Sequence, residues 1–163
     1  MFHIVLVQPE IPQNTGNIAR TCAATGCTLH LVRPLGFDIS ERAVRRAGLD
    51  YWHLVNVEVH ESLSAFLARY PAARMHLFTT KAPRVYTQAE YREGDFLVFG
   101  RETRGLDEEF LVAHPEACVR IPMREEARSL NLSNSVAVAV YEGLRQNAFG
   151  GLLREGALHR LQW

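Results

Sequence analysis

The chain predicts an α/β fold, a mostly parallel sheet flanked by helices. Two observations predict it. Short β-rich apolar runs alternate with segments of helical spacing along the sequence. The later runs, Met75–Thr79 and Phe96–Phe99, read as buried-type strands, as strands covered on both faces do. Size agrees: 163 residues, 47% hydrophobic and 22% charged, suit one domain over 1–163, with a core of about 3–147 and a tail over 148–163.

His3–Val7 reads as the first strand, closed by Gln8-Pro9. Asn14-Thr15-Gly16-Asn17 offers N-cap chemistry, so a helix is expected over Ile18–Thr25, ending at Gly26. Thr28–Val32 is a second strand, stopped by Pro34 and Gly36. Ser40-Glu41-Arg42 opens a short helix through Ala47, and Leu54–Val59 is a strand. Ser62–Tyr70 is an amphipathic helix ended by Pro71. After the two apolar strands, Asp107 opens a short helix before Pro115, and Cys118–Ile121 is the last strand. Val136–Val140 alternates like a strand. Yet Ser133 and Asn134 are capping residues, alanine favours helix, and Tyr141–Leu144 continues the apolar face at helical spacing. A buried helix is therefore expected over about Ser133–Asn147. Gly150 to Trp163 reads as a helical end or a partly disordered tail.

Several function classes lose their signatures. No apolar run nears the roughly 18 residues of a membrane span. The N-terminus lacks a basic leader and a small-residue cleavage site, so a cytoplasmic protein without a membrane partner is expected. Cys22, Cys27 and Cys118 are odd in number and lack Cys-x-x-Cys spacing, and the seven histidines form no ligand pair. Reduced, mostly buried thiols and no metal are expected. The first strand is not followed by Gly-x-Gly-x-x-Gly. Gly100 to Gly105 has P-loop spacing, but Leu106-Asp107 replaces Lys-Ser/Thr, and no Gly-x-Ser-x-Gly elbow occurs. The formal net charge is zero, which does not advertise nucleic acid, and no DNA partner is expected. Of the 18 basic residues only Lys81 is a lysine, and arginine offers a planar fork that grips phosphate. Genomic base composition also moves lysine toward arginine.

Three polar, glycine-bearing segments carry the chemistry. Pro12-x-Asn14-x-Gly16-Asn17-x-x-Arg20 opens the first helix. Phe99-Gly-x-Glu102-x-x-Gly105-Leu106 follows the middle strand. Ile121-Pro-Met123, with Arg128-Ser-Leu-Asn-Leu-Ser-Asn134, leads into the last helix. Ligands of open α/β sheets bind at strand carboxyl ends, and glycine at 100 permits close backbone approach to a flat ligand.

These motifs, in this order, resemble the SPOUT (α/β-knot) RNA methyltransferases over His3 to about Asn147, and within them the tRNA (cytidine/uridine-2′-O-)-methyltransferases. The resemblance implies a C-terminal trefoil knot, a homodimer packed through the first and last helices, and tRNA as substrate. It implies methyl transfer from S-adenosylmethionine, leaving S-adenosylhomocysteine, to the 2′-hydroxyl of the wobble nucleotide. Another tRNA or rRNA nucleotide is the alternative target, and a non-catalytic RNA-binding homodimer the remoter one. Carried over residue by residue, the cofactor would meet Phe78, Thr79, Gly100, Ile121, Ser129 and Leu130. A bulky aliphatic residue commonly stands at the place of Phe78, which leaves it a backbone contact. Catalysis would fall to Arg20 with Asn14, Asn17, Glu102, Ser129 and Asn131. Arginine's pKa, above about 12, argues for Arg20 as a clamp on substrate phosphate and 2′-oxygen rather than a base. RNA would meet Arg42, Arg45, Arg46, Arg124 and Arg128, with Arg33, Arg101 and Arg104. Blander roles remain open: Asn14 and Asn17 as caps, Glu102 paired with Arg104, Ser129 and Asn131 as loop hydrogen-bonders, Ser133 as an N-cap, and the arginines as a solvated face.

Overall fold

The computed structural model describes residues 1–39 and 52–162. The expected helix after Ser40, with Arg42, Arg45 and Arg46, lies outside the described residues. Six parallel strands form one sheet: β1 (His3–Val7), β2 (Thr28–Val32), β3 (Val57–His60), β4 (Met75–Phe78), β5 (Phe96–Phe99) and β6 (Cys118–Val119), in the order β3-β2-β1-β5-β4-β6. Strand alternation divides the core into two layers. Ile4, Leu6, Leu29, Leu31, Leu97 and Phe99 face α1 (Pro12–Thr25) and α4 (Leu132–Gln146), which pack together through Ile18, Cys22, Val136, Ala139 and Val140. Val5, Val7, Val32, Leu77, Phe96 and Val98 face α2 (Leu63–Arg69) and α3 (Glu108–Ala113) through Phe66, Phe110 and Leu111.

Several element boundaries differ from expectation; β6, expected over Cys118–Ile121, pairs with β4 only over Cys118–Val119. α1 starts six residues early, because Pro12 sits in its first turn where no N–H is needed. Asn14 and Asn17 are therefore inside the helix and do not cap it. The strand expected over Leu54–Val59 is shortened: Trp52–Leu54 is a 3₁₀ turn, and pairing with β2 begins at Val57. α4 is capped by Asn131, whose side chain accepts from the Ser133 and Asn134 amides; Ser133 is the second helical residue, not the cap. The ambiguous Val136–Val140 run is helical. The segment from Gly150 to Gln162 carries no helix and is mostly exposed.

The three cysteines are free and buried, and burial pushes each thiol above its ordinary value. Among the described residues no helix is long and apolar enough to cross a membrane.

Candidate functional site

The β-order reverses beside β1, and the loops leaving β4, β5 and β6 diverge there to leave a cleft of about 480 Å³. Its size falls in the range of small-molecule sites. The floor is aromatic: Phe78 and Phe99, at the ends of adjacent strands, stack at 4.7 Å. One wall is the loop after β5. A Cβ at Gly100 would stand 2.1 Å from the Gly105 carbonyl carbon and 2.2 Å from the Leu106 nitrogen, so only glycine lets the returning chain lie against it. Arg101 and Gly105 exchange backbone hydrogen bonds across this turn, which Gly105 closes at φ +71°. Leu130 covers the opposite wall, 41% exposed at the mouth.

A polar relay ties the three motifs together. The Glu102 carboxylate accepts from the Glu10 amide at 2.8 Å, the Ile11 amide at 3.2 Å and the Asn14 Nδ2 at 3.1 Å. A carboxylate only accepts, so it fixes the Asn14 amide with Nδ2 toward Glu102 and Oδ1 away. That Oδ1 accepts from Asn131 Nδ2 at 2.9 Å. Asn131 is in turn oriented, and its Oδ1 accepts from the Ser133 amide at 2.9 Å and the Ser133 hydroxyl at 2.6 Å. The latch is doubled on its outer side, where the Glu10 carboxylate accepts from the Thr103 amide and hydroxyl.

The cleft gathers Phe78, Thr79, Gly100, Ile121, Ser129 and Leu130, the six residues expected at the cofactor, with Asn14, Glu102 and Asn131. Glu102 holds this relay, which gives it a role other than pairing with Arg104. Arg104 and Arg128 also line the cleft. Arg20 and Asn17 do not: both stand exposed on α1, outside the lining, and Arg124 is exposed beyond it. Sequence reasoning missed Glu10, whose one signal was an acid just ahead of a proline-started helix. It also assigned no role to Lys81, whose ammonium reaches Glu108 at 2.5 Å and holds that carboxylate below its ordinary range. Arg101 lines the cleft and pairs with Asp107, while its Nε is buried without a partner among the described residues. An arginine N–H left so is a ready donor for an acceptor on a ligand.

The profile of the SpoU rRNA Methylase family matches residues 1–141. The tRNA (cytidine(34)-2′-O)-methyltransferase of Methylovorus glucosotrophus is 53% identical over 152 residues, 93% of this chain and 99% of that one. A solved structure described as giving structural insights into the 2-OH methylation of C/U34 on tRNA is 51% identical, covers 91% of this chain and 97% of its own, and superposes with a TM-score of 0.85. The AdoMet-bound rRNA methyltransferase of Sinorhizobium meliloti is 25% identical with a TM-score of 0.77, over 88% of this chain and 56% of that chain.

Proposed function

The chain belongs to the SpoU rRNA methylase family, and on that premise we propose that it moves a methyl group from S-adenosylmethionine to the 2′-hydroxyl of nucleotide 34 of tRNA, a cytidine or uridine. The observation that carries the reading is the Glu102–Asn14–Asn131 relay, which closes three motifs distant in sequence around one cleft. Relatives of half-identical sequence bearing the same activity in their names support it.

The residues present fit the cofactor. The aromatic floor suits a flat base, the backbone around Gly100 and Ile121 is open to close approach, and the orphaned Arg101 Nε offers a donor. Phe78, Thr79, Gly100, Ile121, Ser129 and Leu130 would hold it. When bound it supplies an electrophilic methyl on a sulfonium; S-adenosylhomocysteine remains after transfer. The chain has three tasks. Asn14 and Asn131, oriented by Glu102, fix the cleft wall in one geometry before substrate arrives, which lowers the entropy needed to align the hydroxyl. Ser129, exposed at the rim, presents its hydroxyl to the ribose. Arg20 grips substrate phosphate and donates to the 2′-oxygen as it becomes nucleophilic, and the proton leaves to phosphate or water.

Arg20 lies six residues, about 9 Å along the helix, beyond Asn14, and outside its own cleft. In this reading a homodimer completes the groove. Exposed Val138 and Tyr141 on α4, with Ile11 beside α1, form an apolar face against which a second copy packs, bringing its α1 to the cleft. Arg128 lines the cleft and Arg124 is exposed beyond it; both would meet tRNA phosphate, as would Arg42, Arg45 and Arg46 by the same family correspondence. A trefoil knot is supported by the surroundings of β6: Thr79 and Val119 bond on one side, and the 84–86 segment bonds Arg120 on the other, so the chain enters its last helix through a backbone bracket. The single domain and the cytoplasm belong to the same reading.

The test is methyl transfer from labelled cofactor to purified tRNA, followed by mass spectrometry of nucleoside digests. The expected product is 2′-O-methylcytidine or 2′-O-methyluridine at position 34. Methylation at another nucleotide, or none beside normal S-adenosylhomocysteine binding, would overturn it.

A further inference from the structure

On the face of the sheet turned away from α1 and α4, three imidazoles stand in a row across β1, β2 and β3. His3 Nδ1 meets His30 Nε2 at 2.9 Å, and His30 Nδ1 meets His60 Nε2 at 3.1 Å. His30 is fully buried and His60 nearly so, among Phe66, Tyr70 and Phe96. Methyl transfer makes no use of them, and polar rings in an apolar layer are worth less to stability than the apolar side chains they displace. Glu58 adds a carboxylate: it shares the His60 face at i, i+2 on β3, and its Oε2 lies 4.0 Å from His30 Nδ1.

From this convergence we propose that His30 Nδ1, His60 Nε2 and a Glu58 carboxylate oxygen form a zinc-class divalent metal site. The three donor atoms all lie within 4.8 Å of one another. A tetrahedral ion with ligand bonds of about 2.0–2.1 Å separates its ligands by about 3.3 Å. The two nitrogens already stand near that spacing, and the carboxylate closes to it by a rotation of a partly exposed side chain. Two imidazoles and a carboxylate are borderline ligands suited to zinc and its neighbours rather than to magnesium or calcium. The outer groups are those that metal ligands use. His30 turns its far nitrogen to His3 Nδ1, so that with Nδ1 on a metal His30 Nε2–H would donate there, and the Tyr70 hydroxyl donates to Glu58 Oε2 at 2.7 Å. Glu58 is 32% exposed, which leaves a way in for the ion and room for a water as fourth ligand. Bound there, the metal ties the edge strand β3 to β2 and stabilises the sheet at its free side; it is a structural site remote from the cleft. Sequence spacing does not reveal it because the ligands come from two strands that only the sheet makes neighbours.

The test uses the full chain stripped by chelator and dialysed. Zinc is titrated with stoichiometry read by elemental analysis and thermal melting, and cobalt with its visible absorption. One zinc per chain is expected, with a raised melting temperature and the intense bands of four-coordinate cobalt. His60→Gln and Glu58→Gln should abolish stoichiometric uptake. Tyr70→Phe should weaken it about 10–100-fold, as loss of an outer partner does. The Cys22→Ser/Cys27→Ser pair should leave it unchanged. Circular dichroism and methyl transfer by Glu58→Gln, a partly exposed surface change, report that the fold is intact. Substoichiometric uptake by the wild type, or undiminished binding in both His60→Gln and Glu58→Gln, would overturn the site.

Discussion

With both oxygens accepting, Glu102 has Asn14 present Nδ2, and that choice passes to Asn131 and then to the amides of α4. Glu102→Gln substitutes a group with one acceptor oxygen and an N–H₂ facing three donors. Denaturant melts should show a loss of about 1 kcal/mol, the lower end for an unmatched donor because these are only partly buried, with weaker S-adenosylhomocysteine binding as the loops unlatch. A stability and affinity equal to wild type would show that the relay does not hold the cleft. Arg20 makes a different demand. If it grips phosphate and 2′-oxygen with two prongs of a planar fork, lysine cannot replace it. Arg20→Lys should lower kcat by about 100-fold or more, as removal of a transition-state donor does. Cofactor affinity should stay unchanged, since Arg20 lies outside the cofactor cleft. Near-normal turnover in labelled methyl transfer would remove it from the reaction.

Asn131 serves one element and one site at once, and two substitutions separate these duties. Asn131→Ser keeps an oxygen to cap α4 but has no Nδ2 to reach Asn14. Asn131→Ala loses both. The alanine variant should be about 1 kcal/mol less stable than the serine variant, the usual worth of a cap. Methyl transfer should fall in both. Full activity in Asn131→Ser would confine Asn131 to its helix. The same element explains why the last helix sits where it does. Its buried stripe of Val136, Ala139, Val140 and Leu144 locks onto β1 and β5, and a Cβ at Gly143 would press the Phe2 ring at 2.7 Å. The helix start, and with it the relay, is thus held by packing from below and by a cap from above.

Across the whole molecule, acid and assembly are the two levers. His76 and Asp95 are both buried and bonded at 2.8 Å, with Arg74 reaching Asp95 and the Tyr91 ring tilted against His76; Arg84 adds a nearby positive charge. Burial holds His76 below its ordinary value despite Asp95. The unfolded chain therefore takes up this proton first as pH falls. The contribution is complete above about pH 6.5, histidine's unperturbed value, and drains away as pH drops from there toward the lower folded value. Between pH 7.5 and 5, His76→Gln should lose less stability than wild type in denaturant melts; parallel losses would sink the assignment. Assembly is read through Tyr141, 49% exposed on α4. If two copies pair as proposed, Tyr141→Asp should convert that dimer to monomer in sedimentation and lower methyl transfer with it. An active monomer would end the two-copy reading of Arg20.

The order of strands and helices was legible in the chain because apolar spacing reports local burial, and each of β1, β2, β4, β5 and α4 buries a face that its spacing marks. The loops of the site were legible too, since glycines at 100 and 105 and the asparagines at 14 and 131 stand where turns and polar contacts must form. What the chain could not disclose is partnership. Asn14 has the chemistry of a cap, and nothing near it in sequence says that it sits inside the first turn of α1 and answers Glu102, 88 residues away. Arg20 carries a motif position, yet only the folded helix shows it turned from its own cleft. His30, Glu58 and His60 look scattered until β2 and β3 pair. Local propensity depends on neighbours within a turn or a strand, whereas the bonds that orient a site join residues whose distance is set by the sheet.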